Sequence, residues 1–315
     1  MSFLSQLMPE DKKFFFMAGL PRSGSTLLSS ILNQNPRIYS GPSSPVLSTI
    51  HVIQDHLINN ELYHGFPKPQ EVTNIIESIA HQYYGDIEKP IIIDKNRAWT
   101  SRIPLAKSYI TKNVKIIVPV RDIEEILTSF IMMIKRNPYK DGNLKLNFID
   151  EQLVKSNIPI TDDNRCKYIG SPNGILGQSL NSIVDCINDG YYDNLHFVEY
   201  KNLVEKPSYT LEKLYNFLEE EPFEHSFDSI ENLNKENDME VYGIRDMHEV
   251  RKKLKSTSTN PKKVLSEYIL ENCKDMDVWR QAVNIQDVDN FSGYIPMNAK
   301  QFGVVSEPEI AKFGN

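Results

Sequence analysis

The chain has 315 residues, of which 40% are hydrophobic and 24% are charged, as is typical of a soluble globular protein. Its 35 Lys and Arg against 42 Asp and Glu give a net charge of −7, which argues against broad nucleic-acid binding. The three widely spaced cysteines indicate neither a disulfide framework nor a zinc site, and no apolar run approaches the roughly 18 residues of a membrane span. We therefore expect a cytoplasmic protein without membrane insertion, built as one domain over residues 1–315.

The first predicted elements are a strand, a glycine-containing loop and a helix. The bulky apolar run Phe14-Phe-Phe-Met-Ala18 predicts a strand that is buried on both faces. The loop Gly19-Leu-Pro-Arg-Ser-Gly-Ser-Thr26 follows directly, and residues 26–33 then have helical spacing. Two further helices are expected at 45–60 and 70–84, before the next strand.

Two more strands are predicted at 90–94 and 114–118, and helical segments follow them at 100–111 and 122–136. Strands that alternate with helices predict an α/β protein with a P-loop-like three-layer fold, in which helices flank a central parallel sheet. Ligands of such sheets bind at the carboxyl ends of the strands. The polar side chains that follow the strands are therefore the first candidates for a site.

The later part of the chain offers fewer landmarks. Residues 137–172 are polar and turn-rich, which is typical of an insertion or a lid, and 174–189 have helical spacing. A further strand is expected at 195–199 and an amphipathic helix at 209–219. The resulting map of the single domain has helical insertions around 41–88 and 137–190 and an unassigned C-terminal part, 221–315.

The loop has the glycine spacing of a phosphate-binding loop, but Ser25 stands where nucleotide triphosphatases have a lysine. A loop that leads into a helix can bind an anion through backbone N–H groups and the helix dipole. Arg22 adds a planar fork that suits phosphate or sulfate oxygens. The missing lysine favours a nucleotide whose reactive end is smaller and less charged than a triphosphate, such as a sulfuryl group, for which no metal is required.

GLPRSGSTLL resembles the loop of sulfotransferases that use 3′-phosphoadenosine-5′-phosphosulfate (PAPS), particularly the bacterial-type enzymes similar to tyrosylprotein sulfotransferases. VRDIEEILTS resembles a second element of that family, with Arg121 at a strand end and Ser129 in the next helix, and the resemblance implies that both bind the 3′-phosphate. It also implies that Lys95 stabilises the leaving group and that Tyr200, in VEYKNLVEKP, contacts the nucleotide base.

The resemblance implies an enzyme that transfers a sulfuryl group from PAPS to an acceptor hydroxyl or amine and releases adenosine 3′,5′-bisphosphate (PAP). The acceptor is a small molecule, a carbohydrate or a peptide, and the sequence does not decide among them or fix the oligomeric state. Arg22 and Lys95 are the expected catalytic residues, and no metal ligands are expected. The expected cofactor-binding residues are Arg22, Ser23, Gly24, Ser25, Thr26, Leu27, Arg121, Ser129 and Tyr200.

The general base is where the sequence departs from the family, because Ser40-Gly-Pro-Ser-Ser-Pro45 has no carboxylate where tyrosylprotein sulfotransferases have a glutamate. His51, Asp55 and His56 are the nearby alternatives if their helix faces the cleft. The basic stretch Arg251–Lys255 is either a solvated face or, as the resemblance implies, part of the 3′-phosphate site.

Two other functions stay open at this stage. A kinase or nucleotide triphosphatase with a degenerate loop would hold Mg²⁺ on Asp94, although we expect Asp94 to hold Lys95 or Arg22 instead. A catalytically inactive protein that binds PAP or PAPS would account for the missing carboxylate.

Overall fold

A computed structural model of the chain describes residues 12–137, 146–233, 235–255, 259–274 and 276–280. Within these ranges, five strands form one sheet, in which every neighbouring pair is parallel. The strands are β1 (Lys13–Met17), β2 (Ile38–Ser43), β3 (Ile91–Lys95), β4 (Ile116–Val120) and β5 (Leu195–Glu199). Their order across the sheet is β2-β3-β1-β4-β5, which places β1 at the centre.

Thirteen α-helices are present in the described ranges. Those of the first half are α1 (Ser25–Leu32), α2 (Val46–Ile58), α3 (Glu61–Gly65), α4 (Pro69–Tyr83), α5 (Ile103–Tyr109) and α6 (Ile123–Arg136). Those of the second half are α7 (Phe148–Lys155), α8 (Asp162–Gly170), α9 (Ile175–Asn188), α10 (Tyr200–Glu205), α11 (Pro207–Leu218), α12 (Asp238–Tyr242) and α13 (Glu267–Asn272). No described helix has the length and apolar character needed to cross a membrane.

The apolar side chains of β1 alternate between two hydrophobic clusters, as the period of a strand requires. Phe14 and Phe16 belong to the cluster that includes α4, α6 and α9, whereas Phe15 and Met17 pack with α1 and α11. The sheet is thus covered on both faces, and the three-layer α/β fold predicted from the sequence is confirmed.

The structure contains elements that the sequence predictions did not define. Strand β2 was not predicted, because IYSGPS is short and contains glycine and proline, which are uncommon in strands. The helical insertion expected around 137–190 contains α7 and α8 within its polar, turn-rich part, for which no helix bounds were predicted. Both helices are short and polar and bury few residues, so their sequences show only a weak helical pattern. Residues 138–145 lie outside the described part of the chain.

The chain moves from β1 to the β2 side of the sheet, returns through β3 next to β1, and then continues to β4 on the opposite side of β1. This reversal of direction creates a crevice at the carboxyl end of β1, which is the usual ligand position in open α/β sheets. Gly19 lies at this crevice, and only glycine fits there, because a Cβ would be 2.2 Å from the carbonyl oxygen of Pro119, just before the end of β4.

Candidate active site

The loop between β1 and α1 forms one wall of a cavity of about 1020 Å³ at the carboxyl edge of the sheet. Its turn is made by two residues with left-handed backbone conformation, Arg22 at φ 59° and Gly24 at φ 88°. The first intrahelical bond of α1 runs from the Leu28 amide to the Gly24 carbonyl at 2.9 Å. The amides of residues 25–27, just before it, have no acceptor in the described part of the chain, so the helix N-terminus presents three donors to an anion.

The predicted loop residues are placed in two ways. Five of them line the cavity, namely Arg22, Gly24, Ser25, Thr26 and Leu27. The Ser23 hydroxyl is instead buried and donates to the carbonyl oxygen of Leu20 at 2.6 Å. The side chain of Ser23 therefore holds the loop in shape, and a role for its backbone amide in cofactor binding stays a prediction.

Arg22 connects the loop to α6. Its Nε–H donates to the Ser129 hydroxyl at 3.2 Å, and its guanidinium also donates to the carbonyl of Met247. Burial, together with the positive charges of Arg121 and Arg136, lowers the pKa of Arg22 to about 10. Several cations thus share one poorly solvated space, which favours the binding of an anion.

Arg121, directly after β4, joins the loop to the end of β5. Its guanidinium donates to the backbone carbonyl of Arg22 at 3.3 Å and to the Glu125 carboxylate at 2.8 Å, and it lies 4.3 Å from the centre of the Tyr200 ring. The same ring covers Gly24, where a Cβ would be 2.7 Å from a ring carbon. The residues of both sequence motifs therefore meet around one point, although the motifs lie about 100 residues apart.

Lys95, the last residue of β3, also lines the cavity, and only 6% of its surface is exposed. Burial lowers the pKa of Lys95, and the Glu236 carboxylate, at 3.5 Å from Nζ, acts in the opposite direction. The described structure thus places a desolvated cation beside the loop, with one carboxylate as its ion-pair partner.

The expectation that Asp94 holds Lys95 or Arg22 is wrong. Neighbouring strand residues point to opposite faces of a sheet, so Asp94 enters the layer on the other side from Lys95. Its carboxylate accepts hydrogen bonds from the Ser44 hydroxyl, the Tyr84 hydroxyl at 2.8 Å and the Trp99 indole N–H at 2.6 Å. Asp94 is therefore a buried structural carboxylate, whose pKa is raised by burial.

Sequence reasoning missed a cluster formed by Glu236, Asp238 and His248. The His248 Nδ1 lies 2.5 Å from an Asp238 carboxylate oxygen and 3.3 Å from a Glu236 oxygen, and His248 itself lines the cavity. These donor atoms lie within 4.8 Å of one another and are the one such group in the described ranges that could hold a metal ion. No periodic spacing connects residues that a turn brings together, so the sequence held no signal for the cluster.

The basic stretch Arg251–Lys255 lies at the cavity, which Arg251, Lys253 and Lys255 all line. The three suggested bases on α2 do not: His51, Asp55 and His56 are exposed and belong to no wall of this cavity. The helix turns its apolar residues Val46, Leu47 and Ile50 to the core, which leaves these polar side chains in solvent.

A glycine-containing loop, open amides at a helix N-terminus and cations at neighbouring strand ends give this P-loop-like α/β protein a site that suits an anionic ligand. The chain belongs to the sulfotransferase family, since the family model described as a sulfotransferase domain matches residues 12–268. The family and the enzyme class expected from the sequence are thereby confirmed.

The chain is also similar to several solved structures. One is the sulfotransferase domain from the curacin biosynthetic pathway, with 17% identity over 68% of this chain and 75% of that chain and a TM-score of 0.44. Another is the sulfotransferase domain from the Synechococcus PCC 7002 olefin synthase, with 20% identity over 75% and 83% of the chains and a TM-score of 0.42. A third is retinol dehydratase in complex with androsterone and the inactive cofactor PAP, with 13% identity over 91% and 86% and a TM-score of 0.42. No curated protein matches the sequence.

Proposed function

We propose that the cavity binds PAPS and that the protein transfers its sulfuryl group to an acceptor hydroxyl or amine, with release of PAP. One observation carries this proposal: the loop and the second motif form a single cationic unit. Arg22 reaches Ser129 at 3.2 Å, and Arg121 reaches the Arg22 carbonyl at 3.3 Å. A nucleotide with negative charge at both its 3′ and 5′ positions needs two linked anion sites of this kind.

The residues divide between the two ends of the donor. The amides of residues 25–27, the hydroxyls of Ser25 and Thr26, and the guanidinium of Arg22 hold the phosphosulfate end. Arg121 and Ser129 hold the 3′-phosphate, and the basic stretch Arg251–Lys255, which lines the same cavity, is a source of further positive charge. Tyr200, which already packs against the Arg121 guanidinium, contacts the adenine base.

Catalysis rests on positioning and on charge stabilisation. The loop amides and Arg22 stabilise negative charge on the oxygens of the group in transfer. Lys95 stabilises the charge that develops on the leaving phosphate oxygen, and it is buried enough for that interaction to be strong.

The orientation of Asp94 argues against the alternative of a Mg²⁺-dependent kinase or nucleotide triphosphatase. That reading places a metal on the Asp94 carboxylate, which is occupied by three hydrogen-bond donors in the opposite layer. The acceptor class and the cytoplasmic location expected from the sequence stay predictions.

Isothermal titration calorimetry with PAP, and separately with ATP plus Mg²⁺, tests the donor site. We expect metal-independent binding of PAP that Arg121→Ala weakens by about 10- to 100-fold, the usual effect of losing one charge-assisted contact. Arg37→Ala is the matched control, because Arg37 is a half-exposed arginine that pairs with Glu220 and does not line the cavity. Binding of ATP with Mg²⁺ but not of PAP would refute the proposal.

Transfer itself is measured with ³⁵S-labelled PAPS and a panel of hydroxyl- and amine-bearing small molecules, carbohydrates and peptides. Arg22→Ala and Lys95→Ala should each lower turnover at least 100-fold, while thermal unfolding changes little. Retained turnover in either variant would remove that residue from the mechanism. Tight PAP binding without transfer to any acceptor, or to water, would identify an inactive binding protein.

A further inference from the structure

His248 is held by Asp238 in a fixed orientation at the edge of the cavity. The two side chains meet at 2.5 Å through Nδ1, and the backbone N–H of His248 donates to the second oxygen of the same carboxylate at 2.9 Å. Asp238 is buried at the first turn of α12. The imidazole therefore has one preferred position, which the backbone as well as the side chain enforces.

This contact decides which ring nitrogen is free. A carboxylate only accepts hydrogen bonds, so Nδ1 carries the proton and donates it to Asp238. The lone pair is then on Nε2, which has no hydrogen-bond partner among the described residues. His248 lines the cavity, and the arrangement of a carboxylate behind a histidine is the one that serves a proton-accepting nitrogen.

Glu236 connects this histidine to the proposed reaction centre. One of its oxygens lies 3.5 Å from Nζ of Lys95, and the other lies 3.3 Å from Nδ1 of His248. A single carboxylate thus bridges the lysine at the leaving group and the histidine. The two residues that act on opposite sides of a group in transfer need to lie close to one another in this way.

We propose that His248 is the general base of the sulfuryl transfer and that Asp238 is the residue that positions it. The assignment rests on the proposed function. As the acceptor oxygen forms its bond to sulfur, its proton passes to Nε2 of His248. The bond between sulfur and the 5′-phosphate oxygen breaks with its electron pair, whose charge Lys95 stabilises. The imidazolium is stabilised by Asp238 and returns its proton to water after product release.

The other acidic groups that line the cavity are less suited to this step. Glu125 is paired with Arg121, and Asp246 and Glu249 are exposed carboxylates on the rim. The base therefore comes from the segment before the basic stretch, far along the chain from the stretch after the first helix that holds the glutamate of tyrosylprotein sulfotransferases.

The test compares His248→Ala and His248→Gln with wild type in two assays, PAP binding by calorimetry and release of PAP from PAPS. The nucleophile in the second assay is water or the best acceptor of the panel. We expect both variants to bind PAP within about threefold of wild type and to lose about 10²- to 10⁴-fold in turnover, the usual contribution of a general base. Added imidazole should restore part of the His248→Ala activity, which it would not do for a merely structural residue.

Two further variants test the positioning role of Asp238 and provide a control histidine. Asp238→Asn should lower turnover while selective ¹⁵N-histidine spectra show that the His248 tautomer has changed, as a positioning role requires. His56→Ala, an exposed histidine on α2, should behave as wild type. Turnover of both His248 variants within threefold of wild type, or loss of PAP binding in both, would overturn the assignment.

The remaining outcomes separate this assignment from the proposed function. Wild type that fails to bind PAP would overturn the donor site itself, whatever the variants do. Wild type that binds PAP but releases none from PAPS would overturn transfer, and the base with it. Loss of wild-type turnover in EDTA with recovery on adding Zn²⁺ would assign Glu236, Asp238 and His248 to a metal and overturn the base alone.

Discussion

Asp94 offers a sharp test of how the site is built, because two hypotheses assign it opposite roles. In the structure its carboxylate accepts hydrogen bonds from Ser44, Tyr84 and Trp99 in the layer away from the cavity. Asp94→Ala leaves these three buried donors without an acceptor, and each such loss costs about 1 to 3 kcal/mol. Rotation of the two hydroxyls and relief from burying a carboxylate reduce the total.

We therefore expect Asp94→Ala to lower the free energy of unfolding by about 2 to 4 kcal/mol, a large share of the roughly 5 to 15 kcal/mol of a typical domain. Asp94→Asn should lower the free energy of unfolding by about 1 to 3 kcal/mol, because the asparagine NH₂ group cannot accept the hydrogen bond that one carboxylate oxygen accepts. Urea denaturation measures both values, and Asp86→Asn, at an exposed aspartate, is the control. PAP affinity of the folded Asp94→Asn protein should stay within twofold of wild type.

Two results would refute this reasoning. Unchanged stability of Asp94→Ala would mean that the three donors find other partners and that the carboxylate is not structural. A stable Asp94→Asn protein with nucleotide binding lowered tenfold or more would place Asp94 in the ligand site, as the triphosphatase hypothesis requires.

Three further predictions concern His196, Gly24 and Tyr200. Burial lowers the pKa of His196 to about 4, against 6.5 in the unfolded chain. The unfolded chain therefore binds a proton that the folded protein does not, and the folded protein loses stability as the pH falls from 6.5 towards 4. The free energy of unfolding should fall by about 3 kcal/mol across that window, and His196→Phe should flatten the dependence in urea titrations at pH 7.5 and 4.5. Gly24→Ala should weaken PAP binding at least tenfold in calorimetry, because it strains a left-handed residue and pushes a Cβ into Tyr200; unchanged affinity would show that the loop adapts. Tyr200→Phe should bind PAP like wild type, whereas Tyr200→Ala should lose about 3- to 30-fold, because the contact with Arg121 uses the ring face and not the hydroxyl; equal losses in the two variants would contradict this.

The sequence predicted those parts of the fold in which local pattern and tertiary position agree. The apolar run from Phe14 to Ala18 predicted a buried strand correctly, because the strand is covered on both faces. Arg121 could be placed at a strand end because the strand before it is apolar throughout. Strand β2 escaped prediction because its hydrogen bonds to β3, and not its own residues, make it a strand. Pairing with a neighbour can override weak propensity in this way.

The candidate site was predictable to the extent that its residues follow strands. Lys95 ends β3, Arg121 directly follows β4, and Arg22 lies in the loop after β1. These three strands are adjacent and parallel, so any such sheet brings their carboxyl ends together. Asp94 was misread because a one-residue step along a strand reverses the direction of the side chain. Glu236, Asp238 and His248 could not be found at all, since long-range packing of an irregular segment brings them to the sheet edge.

The left-handed conformation of Arg22 has a consequence for engineering this protein. An L-residue pays roughly 1 to 2 kcal/mol for that backbone geometry, whereas asparagine or glycine adopts it more readily. A campaign that selects variants by melting temperature would therefore favour Asn or Gly at position 22, and in doing so would remove the guanidinium that reaches Ser129. At this residue, a substitution that raises thermostability is expected to lower activity. A library meant to stabilise the enzyme should therefore leave the loop unchanged and vary residues of helices α2 to α4.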